Sequence, residues 1–279
     1  MRSRPDDFSP ADANQVTLIQ AKLRPMRSAR LWRSFATASI VAVALAAAAY
    51  GADPGAGQAS GAVHPGERAV KAVGSAGRDR AVMVTTTACG HASRTSGAGV
   101  IVGSGRVITA AHVIIGAGSI GVADAATGTD LGAVTVLRVN PRSDLALLHV
   151  SGATGDPIVT ADADQGHGVH ASGGGPSGSF VATITRRVEV RIEEVRSTTR
   201  SRRFGFEIDR RVELGDSGGG VFNDGGELVG IVFGRSSDRV DASFVVRREE
   251  IELLLANQDG EDTGWICDPA QNRLVPAQN

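Results

Sequence analysis

The sequence contains few aromatic residues, few lysines and few cysteines. Aromatic side chains account for 4% of the 279 residues, whereas glycine occurs 36 times, a composition that suits many short strands and tight turns. Lysine occurs only at Lys22 and Lys71, and the net charge is −1. Beyond residue 33 the chain is mildly acidic and has no basic patch. The composition therefore argues against a nucleic-acid-binding protein.

Long hydrophobic runs are also scarce, and a single run is long enough to span a membrane. It extends from Ser34 to Tyr50 and, with Leu31 and Trp32, reaches the ~20 residues that cross a ~30 Å hydrocarbon core. Basic residues precede it at Lys22, Arg24, Arg27, Arg30 and Arg33. Such a flank indicates the cytoplasmic side. We therefore predict a disordered cytoplasmic tail at 1–30 and a transmembrane anchor at 31–50, with the rest of the chain outside.

A cleaved signal sequence is the alternative for residues 31–50. Ala47-Ala48-Ala49 would serve as its small-residue cleavage site, and the protein would then be secreted. Signal peptides usually total ~15–30 residues, whereas more than thirty residues precede this run. The length favours the uncleaved anchor.

The remainder of the chain divides into a linker and two β-rich segments. Residues 51–79 are rich in Gly, Ala, Pro and Ser without apolar periodicity, which predicts a flexible linker. Short β-type segments separated by turn residues then follow in two groups, at 80–152 and 153–246. Each group holds about six strands, enough for a closed barrel.

A helix is predicted at 247–257, where Ile251, Leu254 and Leu255 recur at helical spacing. The predicted fold class is therefore all-β. It is a double six-stranded β-barrel with a C-terminal helix, preceded by one transmembrane helix and a flexible linker.

A serine lies between glycines in the segment Gly215-Asp216-Ser217-Gly218-Gly219. Glycine allows positive φ and close approach of a substrate, so this turn can expose the Ser217 hydroxyl. The N–H groups of Gly215 and Ser217 can point at one spot, where a developing oxyanion would be stabilised. Serine alone is a weak nucleophile, so the motif predicts a histidine base and a carboxylate that orients it.

Both predicted partners lie upstream. His112 ends the apolar run Val107–Ala111, and Asp144 precedes the run Leu145–Leu148. Each placement alone is ordinary, because such residues are often core histidines or turn aspartates. The order His112, Asp144, Ser217 is that of the chymotrypsin-like double barrel. Together the three segments resemble the trypsin-like serine protease family.

The resemblance implies a protease domain over residues 80–270 whose catalytic residues meet between the barrels. It implies an oxyanion hole at Gly215 and Ser217, and no cofactor. Val232-Phe233-Gly234 resembles the edge strand that binds the substrate backbone in this family. Such β-augmentation takes its affinity from main-chain hydrogen bonds.

A narrower similarity is to the membrane-anchored periplasmic serine proteases of actinobacteria implicated in acid resistance. It runs from Gly215 through Gly230–Gly234 to Phe244–Val246. Cys89 and Cys267 stand where that group has its cysteine pair, which implies a disulfide in an oxidising exterior. Two unpaired buried thiols are the alternative. That group carries several N-terminal transmembrane helices, where this chain offers one.

Two departures from the family leave polar groups without assigned partners. Phe233 stands where many members have a serine that donates to the triad aspartate, so Asp144 must find that hydrogen bond elsewhere or lack it. The chain has no Ile-Val-Gly-Gly start. Asp216 must therefore be satisfied in another way, and an arginine is the candidate.

Three further clusters carry weaker indications. His167 and His170 beside the loop 173–176 could suggest a metal site, but a third ligand is missing, so we predict no metal. A group of arginines is interpreted as a solvated loop and comprises Arg196, Arg200, Arg202 and Arg203. Arg211 or Arg235 beside the specificity pocket would favour an acidic substrate side chain.

The sequence thus predicts a membrane-tethered serine endopeptidase that acts on envelope or extracellular proteins, and it assigns no oligomeric state. A catalytically silent trypsin-like module that binds extended peptides is the main alternative. It is disfavoured because such a module has no physical need for all three catalytic side chains. An esterase of the α/β-hydrolase type would need a strand–turn–helix pattern around the serine, which is absent.

Overall fold

The structure is a computed structural model that describes residues 77–89, 93–193, 200–256, 265–268 and 273–276. The predicted tail, the predicted anchor and most of the predicted linker lie outside the described residues. Within the described ranges, no helix is long and apolar enough to cross a membrane.

The first barrel consists of six antiparallel strands. They are β1 (Ala81–Ala88), β2 (Arg94–Gly103), β3 (Arg106–Ala110), β4 (Ala117–Asp124), β5 (Val134–Asn140) and β6 (Leu145–Val150). Their order is β4-β1-β2-β3-β6-β5, and β4 and β5 lie side by side at the two ends. The sheet therefore curls into a barrel that is closed by packing, whereas its backbone ladder stays open. In β1 the period-2 pattern is plain, because Val82 and Val84 are buried while Met83 is exposed.

The second barrel also has six antiparallel strands. They are β7 (Gly168–Ala171), β8 (Phe180–Glu193), β9 (Arg200–Ile208), β10 (Gly220–Phe222), β11 (Leu228–Arg235) and β12 (Ser243–Arg247). Here the ladder is complete, in the order β10-β11-β12-β9-β8-β7. The predicted pair of six-stranded barrels is confirmed.

Two strands of the second barrel differ from the sequence prediction. The segments at 180–185 and 188–195, which the pattern suggests as separate strands, form one long strand β8 with a register shift between Ile184 and Arg186. The sixth strand is β7, which contains His170 and directly precedes the glycine-rich loop. Four residues around a glycine carry too little periodicity to predict a strand, and β7 is fixed by its neighbours β8 and β10 instead.

Two helices and a hairpin complete the described chain. The one-turn helix α1 (Ala111–Ile114) follows β3, and α2 (Arg248–Ala256) follows β12 at the predicted place. Ile251 and Leu254 are its buried residues. The hairpin of β13 (Trp265–Asp268) and β14 (Arg273–Pro276) is not predicted by the sequence, and β13 lies against β4.

A shared apolar core joins the two barrels. It combines Ile108 and Leu145 of the first barrel with Val190, Phe233 and Phe244 of the second. The Phe233 and Phe244 rings are stacked with centroids 6.0 Å apart. Burying one large apolar side chain stabilises a fold by ~1.5–3 kcal/mol. This core therefore fixes the relative placement of the barrels, and the candidate site lies at their junction.

Candidate active site

The turn that carries Ser217 is held by both barrels. The Ala98 N–H of β2 donates to the Ser217 carbonyl at 2.8 Å, and the Gly218 N–H donates to the Val232 carbonyl of β11 at 2.8 Å. Gly218 has φ 96°, and a Cβ there would lie 2.5 Å from the Thr109 hydroxyl. Glycine is therefore required where the turn crosses the first barrel.

Asp216 is buried beneath the turn and has partners other than the predicted arginine. Its carboxylate accepts hydrogen bonds from the Ser177 hydroxyl, from the Ser177 N–H at 3.1 Å and from the Glu213 N–H at 2.7 Å. Among the described residues, a hydroxyl and two amides thus solvate this charge where the sequence suggests an arginine.

The glycine-rich loop 173–178 supplies that support, and it is the part of the site that sequence reasoning missed. A Cβ on Gly175 would lie 2.5 Å from the Gly215 carbonyl oxygen, and a Cβ on Gly173 would lie 2.5 Å from the Ser179 nitrogen. The loop can therefore approach the turn of Ser217 because it has glycine, without a side chain, at the point of closest approach. The run of three glycines was the signal that could have identified it.

His112 and Asp144 are directly bonded, as predicted. His112 lies in α1, where the chain leaves β3, and its ring is 39% exposed. The Nδ1 atom lies 2.7 Å from Asp144 Oδ2, and the His112 main-chain N–H donates to Oδ1 at 2.9 Å. The carboxylate thus fixes both the ring and its backbone, so Nε2 is the atom left to act as a base.

Ser217 lies beside the corner that carries His112. A Cβ on Gly97 would touch the Val113 side chain on one side and the Ser217 carbonyl, at 3.1 Å, on the other. Among the described residues the Ser217 hydroxyl donates no hydrogen bond, and none joins it to His112. The structure therefore brings the three predicted residues to one junction, but only the His112–Asp144 pair is in direct contact.

Asp144 has a second cationic neighbour, Arg203 of β9. Its Nη1 lies 3.1 Å from Asp144 Oδ2, its Nη2 donates to the Pro141 carbonyl at 3.3 Å, and its guanidinium lies 5.4 Å from the centre of the Phe233 ring. Arg203 is 6% exposed, so its assignment to a solvated arginine loop is wrong. Arg203 also supplies the hydrogen bond to Asp144 that a serine at position 233 would have supplied.

The electrostatics of Asp144 reflect these contacts. Burial alone raises the pKa of this carboxyl, but the charges of His112 and Arg203 and the hydrogen bonds from His112 outweigh it, so the pKa lies below its ordinary value. The ionised carboxylate therefore contributes stability above the ordinary carboxyl pKa. That contribution is lost as the pH falls through the depressed folded pKa.

The two predicted oxyanion donors are available. Gly215 has φ 104°, and neither its N–H nor that of Ser217 donates to any residue that the structure describes. Two amide N–H groups on one tight turn, with no other acceptor among the described residues, can donate hydrogen bonds to an anionic oxygen.

The predicted substrate strand forms the end of β11. On one edge Val232 pairs in register with Val245 of β12, and on the other edge its N–H donates to the Gly219 carbonyl. Gly234 and Arg235 also pair with β12, whereas Phe233 lies at the register shift between them. Phe233 is 1% exposed and contributes its main chain rather than its side chain to this edge. The other edge of this segment has no strand partner among the described residues, which leaves it available to an extended peptide.

The arginines expected near the specificity pocket are paired with a glutamate. Arg211 Nε lies 3.4 Å from Glu213 Oε1, and Arg235 Nη1 lies 3.4 Å from Glu213 Oε2. All three side chains are at least 30% exposed, so these contacts are weak. The shared glutamate reduces the positive charge on which a preference for acidic side chains would depend.

The two histidines that raised the question of a metal site have other neighbours. His170 Nε2 lies 3.0 Å from Asp224 Oδ1, and His167 Nδ1 accepts from the Asp164 N–H at 3.2 Å. The described residues contain no cluster of three side chains that could hold a metal ion.

The predicted cysteine pair falls partly outside the described side chains. Cys89 is buried at the end of β1 and is not a free thiol. Cys267 lies in β13, of which the structure describes the backbone. The bond between them stays a prediction.

Comparison with known proteins agrees with this geometry. Residues 97–231 match the family model of the trypsin-like peptidase domain. The serine protease Rv3671c of Mycobacterium tuberculosis is 31% identical over 169 residues, which cover 57% of this chain and 41% of that protein. The chain thus spans less than half the length of the curated relatives that it matches first.

Solved structures give the same result. The active form of the Rv3671c protease from M. tuberculosis matches with a TM-score of 0.61 and 26% identity, over 67% of this chain and 84% of that one. The HtrA-type protease AlgW with a tripeptide matches with a TM-score of 0.56 and 21% identity, over 67% and 62% of the two chains. The second likeness shows the fold alone.

Gly175→Ala should impair the site far more than the fold. The new Cβ would meet backbone atoms of Gly215 and Asp216, which cannot yield, so the loop and its Ser177 must move away. Asp216 then loses its hydrogen bonds from Ser177, so the turn that carries the Gly215 and Ser217 amides is less well held. We therefore expect labelling by a fluorophosphonate to slow by ~10²-fold or more. The free energy of unfolding should fall by only ~1–3 kcal/mol.

Gly168→Ala is the matched control, because a Cβ there meets open space. It should label at the parent rate. Equal labelling of both variants would show that the glycine loop does not position the turn.

Proposed function

On the premise that residues 97–231 match the trypsin-like peptidase domain, we propose that the chain is a serine endopeptidase of envelope or extracellular proteins. The observation that carries the proposal is the buried Asp144, which is bonded to His112 at 2.7 Å beside the glycine-bounded turn of Ser217. This pairing leaves the imidazole Nε2 as the only ring atom that can take a proton from a nucleophile.

The proposed reaction proceeds in two halves. Ser217 Oγ attacks the scissile carbonyl while His112 Nε2 takes its proton, and the oxygen that becomes anionic accepts hydrogen bonds from the Gly215 and Ser217 amides. His112 then protonates the amine, which leaves as the C–N bond breaks. Water, deprotonated by the same imidazole, attacks the acyl-enzyme and restores Ser217. Asp144 stays ionised throughout and stabilises the imidazolium.

The hydroxyl and the imidazole need not be bonded before the substrate binds. Catalytic hydrogen bonds tighten when the reacting groups are brought together. The substrate backbone would add as a strand to the open edge of residues 233–235 and so place its carbonyl at the turn.

Ser217→Ala should abolish both peptide hydrolysis and fluorophosphonate labelling without loss of the fold. Losing a triad member removes nearly all of the rate in enzymes of this kind, typically ~10⁴-fold or more. Ser104→Ala changes an exposed hydroxyl in the β2–β3 turn and serves as the control. Hydrolysis by the Ser217 variant at the parent rate would rule out this nucleophile. A parent protein that binds peptides but neither labels nor cleaves them would instead be the catalytically silent module.

We further propose that residues 31–50 anchor the protein in the cytoplasmic membrane with the peptidase domain outside. The support is the basic flank followed by the apolar run and the linker. After cell fractionation, we expect the chain in the membrane pellet, resistant to high-salt washing and degraded by protease added to spheroplasts. A mature N-terminus near Tyr50, together with release into the medium, would show a cleaved signal sequence instead.

We also propose a disulfide between Cys89 and Cys267, which follows from an exterior location. Cys89 directly follows β1, and its N–H donates to the Gly116 carbonyl just before β4. Strand β13, which carries Cys267, lies against β4. The bond would close a loop of about 180 residues, for which chain entropy suggests at most ~5 kcal/mol. Protein purified without reductant should therefore resist alkylation at both positions. Quantitative labelling of two thiols in the folded, exported protein would contradict the bond.

A further inference from the structure

Arg203 is a buried arginine whose contacts converge on the triad carboxylate. Its Nη1 donates to Asp144 Oδ2 at 3.1 Å, the oxygen that also faces His112 Nδ1 at 2.7 Å. Two further contacts hold the guanidinium of Arg203 in a fixed orientation. Nε donates to the Arg142 carbonyl at 3.3 Å, and the face stacks over Phe233. A rigid, planar guanidinium orients a carboxylate and also compensates its negative charge.

These contacts cross the junction between the barrels. Arg203 belongs to β9 of the second barrel, whereas Asp144 and the carbonyls of Pro141 and Arg142 belong to the β5–β6 turn of the first. His112 is on the same barrel as Asp144, and Ser217 is on the other. Arg203 is therefore the side chain that ties the acid–base pair to the half of the molecule that carries the nucleophile.

The backbone of Asp144 needs such support. Its φ is 61°, the left-handed region, and it is the only non-glycine residue with positive φ in the part of the chain that the structure describes. A non-glycine residue in that region costs stability, and its conformation persists where the surrounding contacts hold it in place. The bonds from His112 and Arg203 are such contacts.

The charges around this group are few. Asp144 faces His112 and Arg203 directly, and Arg142, Arg202 and Glu250 line a cavity of about 80 Å³ next to Arg203. Arg202 points to Glu189, with Nε 3.3 Å from the carboxylate, and is 61% exposed. Within the described residues, the cation at the triad carboxylate is thus Arg203 alone, apart from the imidazole itself.

We propose that Arg203 is a positioning residue for catalysis: from the second barrel it orients the Asp144 carboxylate and, through it, aligns His112 with Ser217. This proposal rests on the proposed peptidase function. It goes beyond that function because it adds a fourth side chain to the three on which the chemistry depends.

Arg203→Met tests the role, because methionine keeps the apolar length over Phe233 and removes the charge and the fork. We expect kcat/KM for a peptide to fall at least ~10-fold, but less than the ~10⁴-fold that follows loss of a working triad carboxylate. The loss should appear in kcat, since a displaced Asp144 impairs proton transfer rather than peptide binding. The acidic limb of the pH profile should move to higher pH, because Arg203 is one of the charges that hold the pKa of Asp144 below its ordinary value.

Two further variants separate charge, geometry and folding. Arg203→Lys keeps the charge but loses the fork, so its acidic limb should stay near that of the parent while kcat recovers only in part. Arg202→Met changes the exposed neighbour and should stay within ~2-fold of the parent in every measurement. All rates are to be taken per active site, titrated with a fluorophosphonate, and compared with the Tm of each variant.

These measurements distinguish a positioning role in catalysis from support of the fold alone. If Arg203→Met lowers only the Tm or the number of titrated sites, with kcat per site and the acidic limb unchanged, Arg203 merely supports the fold and the proposal is wrong. A second readout does not require hydrolysis. In a Ser217→Ala background, the low-field proton resonance of the His112 Nδ1–H should shift or disappear on adding Arg203→Met. An unchanged resonance would overturn the proposal. A changed resonance, together with a parent protein (Ser217 intact) that fails to cleave peptides, would refute only the peptidase function.

Discussion

The site depends on the buried carboxylate of Asp144. A charge that is 1% exposed is tolerated only where nearby groups replace the lost water, and His112 and Arg203 do so from opposite barrels. The proposed acid–base pair lies on one barrel and the proposed nucleophile on the other. The orientation of this carboxylate therefore depends on how the two barrels are aligned. The apolar core between them, with Phe233 at its centre, serves the same alignment through packing.

Ser217, the proposed nucleophile, is held by different interactions. Its turn is hydrogen-bonded to β2 and β11 and rests on the loop 173–178, whose closeness depends on the absence of side chains. Asp216 then links loop and turn through Ser177. The catalytic arrangement is thus held by a charge network on one side and by a glycine-dependent contact on the other.

The sequence predicts features that depend on neighbouring residues, but not contacts between residues far apart in the chain. The turn around Ser217, the positions of His112 and Asp144, and strands such as β1 follow from motifs and period-2 patterns. The roles of Arg203 and Ser177 could not be predicted, because they lie 59 and 39 residues from the carboxylates that they bind. A polar residue in a strand or a loop is expected to be solvated until its neighbours are known. Strand β8 was divided in the prediction because Arg186 and Arg187 interrupt its apolar pattern. In the fold, Arg186 pairs with the buried Glu207.

The most direct test of this arrangement is an experimental structure of the protein after reaction with a fluorophosphonate. We expect one phosphonyl group, on Ser217 Oγ, with its phosphoryl oxygen accepting hydrogen bonds from the amides of Gly215 and Ser217. His112 should remain bonded to Asp144, with Nε2 within hydrogen-bond distance of the serine oxygen. A label on another residue, or a phosphoryl oxygen turned away from both amides, would contradict the assignment of this junction as the active site.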